Sequence, residues 1–342
     1  MIFVTGGTGL LGSHLIHELI DRGYKIRALR RSDSDFTTIK RVFRYLSDDH
    51  EDRFRQIEWV EGDILDHLSL EEAMKDSEHV YHCAALVSFN PKERQKLFDI
   101  NVRGTANMIN TSLMLRPERF CYVGSVAALG RAENDQVIDE HFFWKDSPVN
   151  TWYGRTKHEA GMEVWRGIEE GLPAIIVNPS IILGAGNPEK GSTKLISEVA
   201  RGLKFYPPGV NGFVDVRDVA KAMIELMESP AVDDQFIINA ENLHYRELFE
   251  LIAGILEKSP PQIRASYLFA ELYWRIEVLR GKLFGRKPLV NKETTRTAFQ
   301  EYYYSNDKIL STLGNFKFRR IEEALQHACE VYSKDSSGAD VL

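Results

Sequence analysis

Eight residues near the start of the chain, TGGTGLLG from Thr5 to Gly12, constrain its fold more than any other feature. They follow the strand-like run MIFV directly and open an apolar-periodic stretch that reads as a helix from Leu10 to Arg22. A strand, a glycine-rich turn and a helix in that order begin a βαβ unit. There Gly6 permits the tight turn, Gly9 lets a ligand approach the backbone, and Gly12 lets the helix pack closely on the strand. Thr5 closes the strand, and Leu10 and Leu11 begin a helix whose N-terminal amides attract negative charge. A dinucleotide pyrophosphate is therefore the natural ligand. The competing reading, a plain glycine turn, is weakened by this placement between strand and helix.

The rest of the first half keeps the same rhythm. KIRAL, IEWVEGD, HVYHCAA and FCYVGS are short β-rich runs separated by amphipathic stretches, the longest passing through Leu97 to Leu115. The alternation predicts a parallel sheet. Gly23 falls where the first helix needs a left-handed C-terminal cap, and Pro91 fits the first turn of the long helix. After Pro148, TWYGRTKHEAGMEVWRGIEEG reads as a helix ended by Gly171, and LPAIIVNPS as another buried strand. Beyond Gly184 come Gly- and Pro-rich loops, helices near 191–202, 216–228 and 244–257, and an aromatic, amphipathic stretch from Ala265 to Leu283. The expected architecture is α/β. A doubly wound parallel Rossmann sheet with helices on both faces takes residues 1–183, with 213–240 returning to it. A smaller, mostly helical substrate lobe takes 184–212 and 241–334, and 335–342 read as a loose tail.

Composition narrows the function classes. A chain of 342 residues exceeds the usual single core. A formal net charge of -7 argues against a surface built to neutralise phosphate backbones, so no nucleic-acid partner is expected. Cys83, Cys121 and Cys329 show neither CxxC spacing nor an even framework; they read as reduced core thiols in a cytoplasmic protein, and no metal site is expected. No apolar leader opens the chain, and AIIVNPSIILGAG falls short of the roughly 20 residues a bilayer demands. No membrane partner is expected. Glu271, Arg275, Glu277 and Arg280 make the 265–283 stretch a packed lobe helix or dimer face rather than a membrane-surface helix.

Candidate site residues sit at the strand ends. NAD enzymes usually offer an acid to the ribose hydroxyls at the end of the second strand, where this chain has Arg30-Arg31. Arginine grips a 2′-phosphate through forked, charged hydrogen bonds, so NADP(H) is favoured, with NAD(H) as the alternative. Solvated surface charge is the other reading of the pair. In GDILD, Asp63 either accepts from an adenine amino group, with Ile64 covering the ring, or serves as a turn aspartate. Ala84 and Ala85 leave room for a cofactor close to backbone. Ser125 ends the strand FCYVGS, and Tyr153 and Lys157 in YGRTK lie four apart on one helix face. A tyrosine with an ordinary pKa of about 10 shuttles protons poorly unless a cation stabilises its phenolate, and Lys157 can supply one; taken alone, the spacing more often means a core tyrosine beside a surface lysine.

TGGTGLLG, GDILD, HCAA, NVRGT, the strand-end Ser125 and YGRTK, in this order, resemble the extended short-chain dehydrogenase/reductase superfamily from Met1 to about Asp218. The resemblance implies that Ser125 hydrogen-bonds the substrate oxygen and Tyr153 is the general acid/base. It implies that Lys157 binds the nicotinamide ribose and lowers the tyrosine pKa, and that Asn178-Pro179-Ser180 meet the nicotinamide amide through backbone. It also implies a homodimer through helices near 92–115 and 152–170. One departure is Gly124, where many relatives carry a second serine or threonine; it is expected to loosen a contact behind the site. In FVDVRDVA, Asp215 and Asp218 are assigned structural roles, Asp218 as a helix cap.

Arg31, VNPSIILGAG and ETTRTAFQEYYYSNDKILSTLG resemble the dihydroflavonol 4-reductase and hydroxysteroid dehydrogenase branch. That implies NADP(H)-dependent reduction of an aldehyde or ketone of a small molecule. Two alternatives stay open: a nucleotide-sugar epimerase or dehydratase with tightly bound NAD, and a non-catalytic protein that senses NADP(H). Tyr267, Phe269, Tyr273, Trp274 and Phe284 suit an apolar or planar carbonyl substrate if they face the cleft, and otherwise fill the lobe core.

Overall fold

The computed structural model describes residues 1–131, 136–189, 191–268, 270–272, 274–275 and 292–336. Seven strands form the central sheet: β1 (Ile2–Thr5), β2 (Ile26–Arg30), β3 (Ile57–Glu61), β4 (His79–His82), β5 (Arg119–Val123), β6 (Ala174–Pro179) and β7 (Asp234–Ile238). Their spatial order is β7-β6-β5-β4-β1-β2-β3, and every neighbouring pair is parallel. The order reverses between β1 and β4, which opens a crevice at the carboxyl ends of those strands, the place where doubly wound sheets bind ligands.

Strands covered on both faces need apolar side chains on both. On one face Leu15, Ile16 and Leu19 of helix α1 (Leu10–Asp21) share a core with Val4, Cys121 and Val177. On the other, Met108 and Ile109 of α2 (Gly104–Leu115) and Ala160 and Val164 of α3 (Trp152–Glu169) cover Phe3, Phe120 and Ile176. The segment read as one long helix through Leu97 is interrupted. An α-helical turn at Arg94–Phe98 and a π-helical turn at Asp99–Arg103 precede α2, and the π turn brings Asn101 into the interior.

After β6 the chain leaves the main sheet. Ile181–Leu183 pairs in parallel with Val210–Asp215, which pairs antiparallel with Glu241–His244. Helices Lys194–Ala200, Tyr245–Ile255 and Ile321–Ser336 pack around this second sheet through Ile196, Phe213, Leu248, Phe249 and Leu325. Between these pieces α4 (Val216–Glu228) returns to pack on α1 through Val219 and Met223, and β7 completes the edge of the main sheet.

Two expectations are corrected here. Asp215, not Asp218, caps α4, its Oδ1 accepting from Arg217 N at 2.7 Å. Asp218 lies a turn further in and accepts from the Arg319 amide at 2.6 Å and from its guanidinium. The final helix also runs two residues into the stretch read as a loose tail, where Asp335 pairs with Arg41. Residues 337–342 lie outside the described residues. Among the described residues no helix is long and apolar enough to cross a membrane.

Candidate active site

The glycine turn is shaped by its neighbours. Gly6 has a φ of +72°, and a Cβ there would lie 2.6 Å from Ala84 N and 2.7 Å from the Cys83 carbonyl carbon, so the turn presses on the end of β4. A Cβ on Gly12 would overlap the Gly6 carbonyl, which fixes the closeness of α1 to β1. Gly9 N donates to Gly6 O at 3.0 Å. Gly9 caps α1 with no side chain, and the first turn holds no acid. Helix amides left without a side-chain cap form a ready anion site, so this turn fits a dinucleotide pyrophosphate. Leu10 leans over Gly186 and Leu11 is buried in the core.

At the end of β2, Arg30 is engaged by Glu61 at 3.2 Å. Arg31 lies just past the strand, more than half exposed, with Asp33 3.2 Å from its Nε and Ser34 Oγ accepting from its amide at 2.8 Å. Sequence reasoning missed Asp33 and Ser34; the SDSD run after the two arginines is the turn signal that could have found them. Asp63 forms a turn, Oδ1 accepting from Leu65 N at 2.9 Å, while Ile64 is buried against Gly104. Ala84 N donates to Thr5 Oγ1 at 3.2 Å, and Ala85 is exposed.

Beneath these strand ends runs a buried polar chain. Thr105 Oγ1 donates to Asn101 O at 2.6 Å, so it accepts from His82 Nε2, 3.1 Å away; His82 Nδ1 then accepts from Thr5 Oγ1 at 2.7 Å. Burial holds the His82 imidazole down to about 3, with Lys157 adding to the effect, so the ring is neutral and both nitrogens are satisfied. Asn101 Nδ2 donates to Leu86 O at 3.0 Å and Thr156 Oγ1 at 3.1 Å, and Thr156 donates to the Tyr153 carbonyl at 2.9 Å. The glycine-turn strand, the π turn and the start of α3 are thus joined by one directional chain.

Thr151 caps α3, its Oγ1 accepting from Gly154 N at 2.9 Å, and places Tyr153 in the first turn. Ser125 caps the short 3-10 turn Val126–Leu129, against which Gly154 packs at the Ala127 carbonyl. Burial pushes the Tyr153 phenol up to about 12, a smaller opposing effect of the Ser125 hydroxyl drawing it down. Lys157 is buried, donates to Val123 O at 2.6 Å and sits 4.4 Å from the Tyr122 ring centroid. Burial brings its ammonium down to about 7, against a smaller opposing effect of Cys83. The described hydrogen bonds of Lys157 go to Val123 rather than to Tyr153. Phe89 packs edge-on against Tyr153, ring centroids 5.8 Å apart, an aromatic wall that sequence reasoning did not name.

Gly124 does not loosen the site. A Cβ there would overlap Asn178 Oδ1, which accepts from Ser125 N at 3.1 Å. Asn178 Nδ2 donates to Gln235 Oε1 at 3.2 Å, and Gln235 Nε2 to Glu140 O at 2.9 Å, which fixes both amide orientations. Pro179 ends β6, and Ser180 N donates to Ile238 O at 3.1 Å.

The C-terminal motif reaches the same place. Glu293 Oε2 accepts from Trp152 N at 3.1 Å, and Arg296 Nη1 donates to Pro148 O at 2.7 Å, so ETTR braces the start of α3. Of the lobe aromatics, Tyr267 meets Phe299 edge-on with ring centroids 5.7 Å apart, and Arg275 covers Trp274 at 4.9 Å. Phe269, Tyr273 and Phe284 lie outside the described residues.

Comparison with known proteins gives the same picture. The model of the NAD dependent epimerase/dehydratase family matches residues 2–240. A putative dihydroflavonol 4-reductase of Synechocystis sp. is 29% identical over 322 residues, 91% of this chain and 89% of that one. Cinnamoyl-CoA reductase 1 of Petunia hybrida is 26% identical, covering 78% of this chain and 80% of its own. The crystal structure of gox2253 superposes with a TM-score of 0.80 at 27% identity, over 98% of each chain.

Proposed function

Since the chain belongs to the NAD dependent epimerase/dehydratase family, we propose that it is an NADP(H)-dependent oxidoreductase that reduces an aldehyde or ketone of a small molecule. The observation that carries this reading is the placement of Tyr153 in the first turn of α3 with the buried Lys157 one turn on, against the short turn that Ser125 caps after β5. Similarity to two reductases and the exposed Arg31 at the end of β2 favour reduction with NADPH over internal recycling of bound NAD.

When bound, the nicotinamide supplies the hydride. The chain's own residues do the rest. Tyr153, with its phenol pushed up to about 12, carries its proton at neutral pH and is a donor to a carbonyl oxygen; Ser125 is the second donor. As the oxygen becomes an alkoxide, Tyr153 gives up the phenolic proton. Lys157, charged below its lowered value of about 7, favours the resulting phenolate. The neutral His82 chain fixes the Ala84 amide and the Tyr153 carbonyl in place, so the donors are preorganised rather than recruited.

NADPH oxidation by the purified protein with a panel of aldehydes and ketones tests the reading. Turnover by the wild type that Tyr153→Phe loses by roughly 10²-fold or more, with NADPH affinity kept, supports it. Equal rates for the two proteins overturn it.

A further inference from the structure

We propose that Arg131 selects substrates that carry an oxyanion, a carboxylate or a phosphate, at the end remote from the reacting carbonyl. The inference rests on the reading of Ser125 and Tyr153 as the site of carbonyl chemistry.

Arg131 follows Gly130, whose φ of +97° redirects the chain after the turn Val126–Leu129 that Ser125 caps. Val126 and Leu129 of that turn pack in one cluster with Tyr302 and Tyr304, and Arg131 follows the end of the turn opposite the Ser125 cap. It meets the C-terminal part of the chain there. Its Cζ lies 4.3 Å from the Tyr302 ring centroid, and Nη1 donates to Tyr304 Oη at 3.3 Å. Tyr245, whose hydroxyl accepts from Asn211 Nδ2 at 3.5 Å, also feels its charge.

No carboxylate among the described residues forms an ion pair with Arg131, whereas Arg30, Arg31, Arg217 and Arg319 each have one. The phenols around it do not compensate the charge. Burial pushes Tyr304 up to about 12 and raises Tyr302 and Tyr245 as well, so all three are neutral near pH 7. Arginine has five N–H donors, of which one is spent on Tyr304. Arg131 Cζ stands over the Tyr302 ring, and the donors not spent on Tyr304 suit a carboxylate or phosphate held in a forked manner. A half-buried cation that no described carboxylate pairs with gains more from an anion than a solvated one does.

The test is titration of the NADP⁺-loaded protein with 4-formylbenzoate, 4-formylphenyl phosphate and methyl 4-formylbenzoate, followed by calorimetry so that no turnover intervenes. Wild type and Tyr153→Phe are expected to bind at least one anion on the order of tenfold or more tighter than the ester. The tighter of the two anions identifies the group preferred. Arg131→Gln is expected to lose the difference, and Arg131→Lys to keep part of it, with unchanged circular dichroism. No preference for either anion, no anion binding, or a preference that survives in Arg131→Gln overturns the proposal. Turnover with NADPH, followed separately, distinguishes the two readings: anion selection without any carbonyl reduction leaves Arg131 standing and the reductase fallen, and the converse does the opposite.

Discussion

Asn178 Oδ1 occupies the space that a side chain on residue 124 would need, and from there it accepts the Ser125 amide at 3.1 Å. The glycine and the asparagine are therefore one device. A serine or threonine at 124 would have to evict the group that holds Ser125. Gly124→Ala is expected to cost about 1–3 kcal/mol through overpacking. Because the clash is with Asn178 itself, Gly124→Ala/Asn178→Ala is expected to cost less than the sum of the single changes. Denaturant unfolding of the four proteins checks this; strict additivity would contradict it.

His82 makes stability depend on acid. Its folded value of about 3 lies below the ordinary 6.5, so between those pH values the unfolded chain binds a proton that the folded one refuses. The neutral ring's contribution is fully present above about pH 6.5 and is lost as pH falls toward 3. Urea unfolding from pH 7.5 to 4 should therefore show the gap between wild type and His82→Asn shrinking with acid. A gap independent of pH would contradict the neutral, doubly bonded ring.

Arg31 is expected to set cofactor choice. Among the described residues its guanidinium pairs with the exposed Asp33 alone, a pair that solvent screens, so it is available to a 2′-phosphate. Arg31→Gln should weaken NADPH roughly tenfold, the value of one charge-assisted hydrogen bond, and leave NADH unchanged. Fluorescence titration of both cofactors reads the difference, and equal losses for the two would contradict the assignment.

Much of this was legible in the sequence because it is local. Gly6, Gly12, Gly23 and Gly171 announce their turns through neighbours a few residues away, and the β-rich runs gave six of the seven central strands. What was hidden depends on distant partners. Ser125 and Asn178 lie 53 residues apart, and nothing near Gly124 signals that an amide will fill its place. Ile181–Leu183 reads as a continuation of β6, and only its pairing with Val210–Asp215 moves it to the second sheet. Asp215 and Asp218 both suit a cap, and the register of one turn decides between them. The π turn at Asp99–Arg103 has the composition of an ordinary helix; the bonds of Asn101 to Leu86 and Thr156 accompany it.

The most direct measurement is to isolate the protein without added nucleotide, assay it for retained cofactor, titrate it with NADPH and NADH, and then add a carbonyl substrate. The expected result is little retained nucleotide, tighter binding of NADPH, and net NADPH oxidation that Tyr153→Phe abolishes. Stoichiometric NAD that survives gel filtration, with a nucleotide sugar converted at no net oxidation, would contradict the reductase and the role given to Arg31.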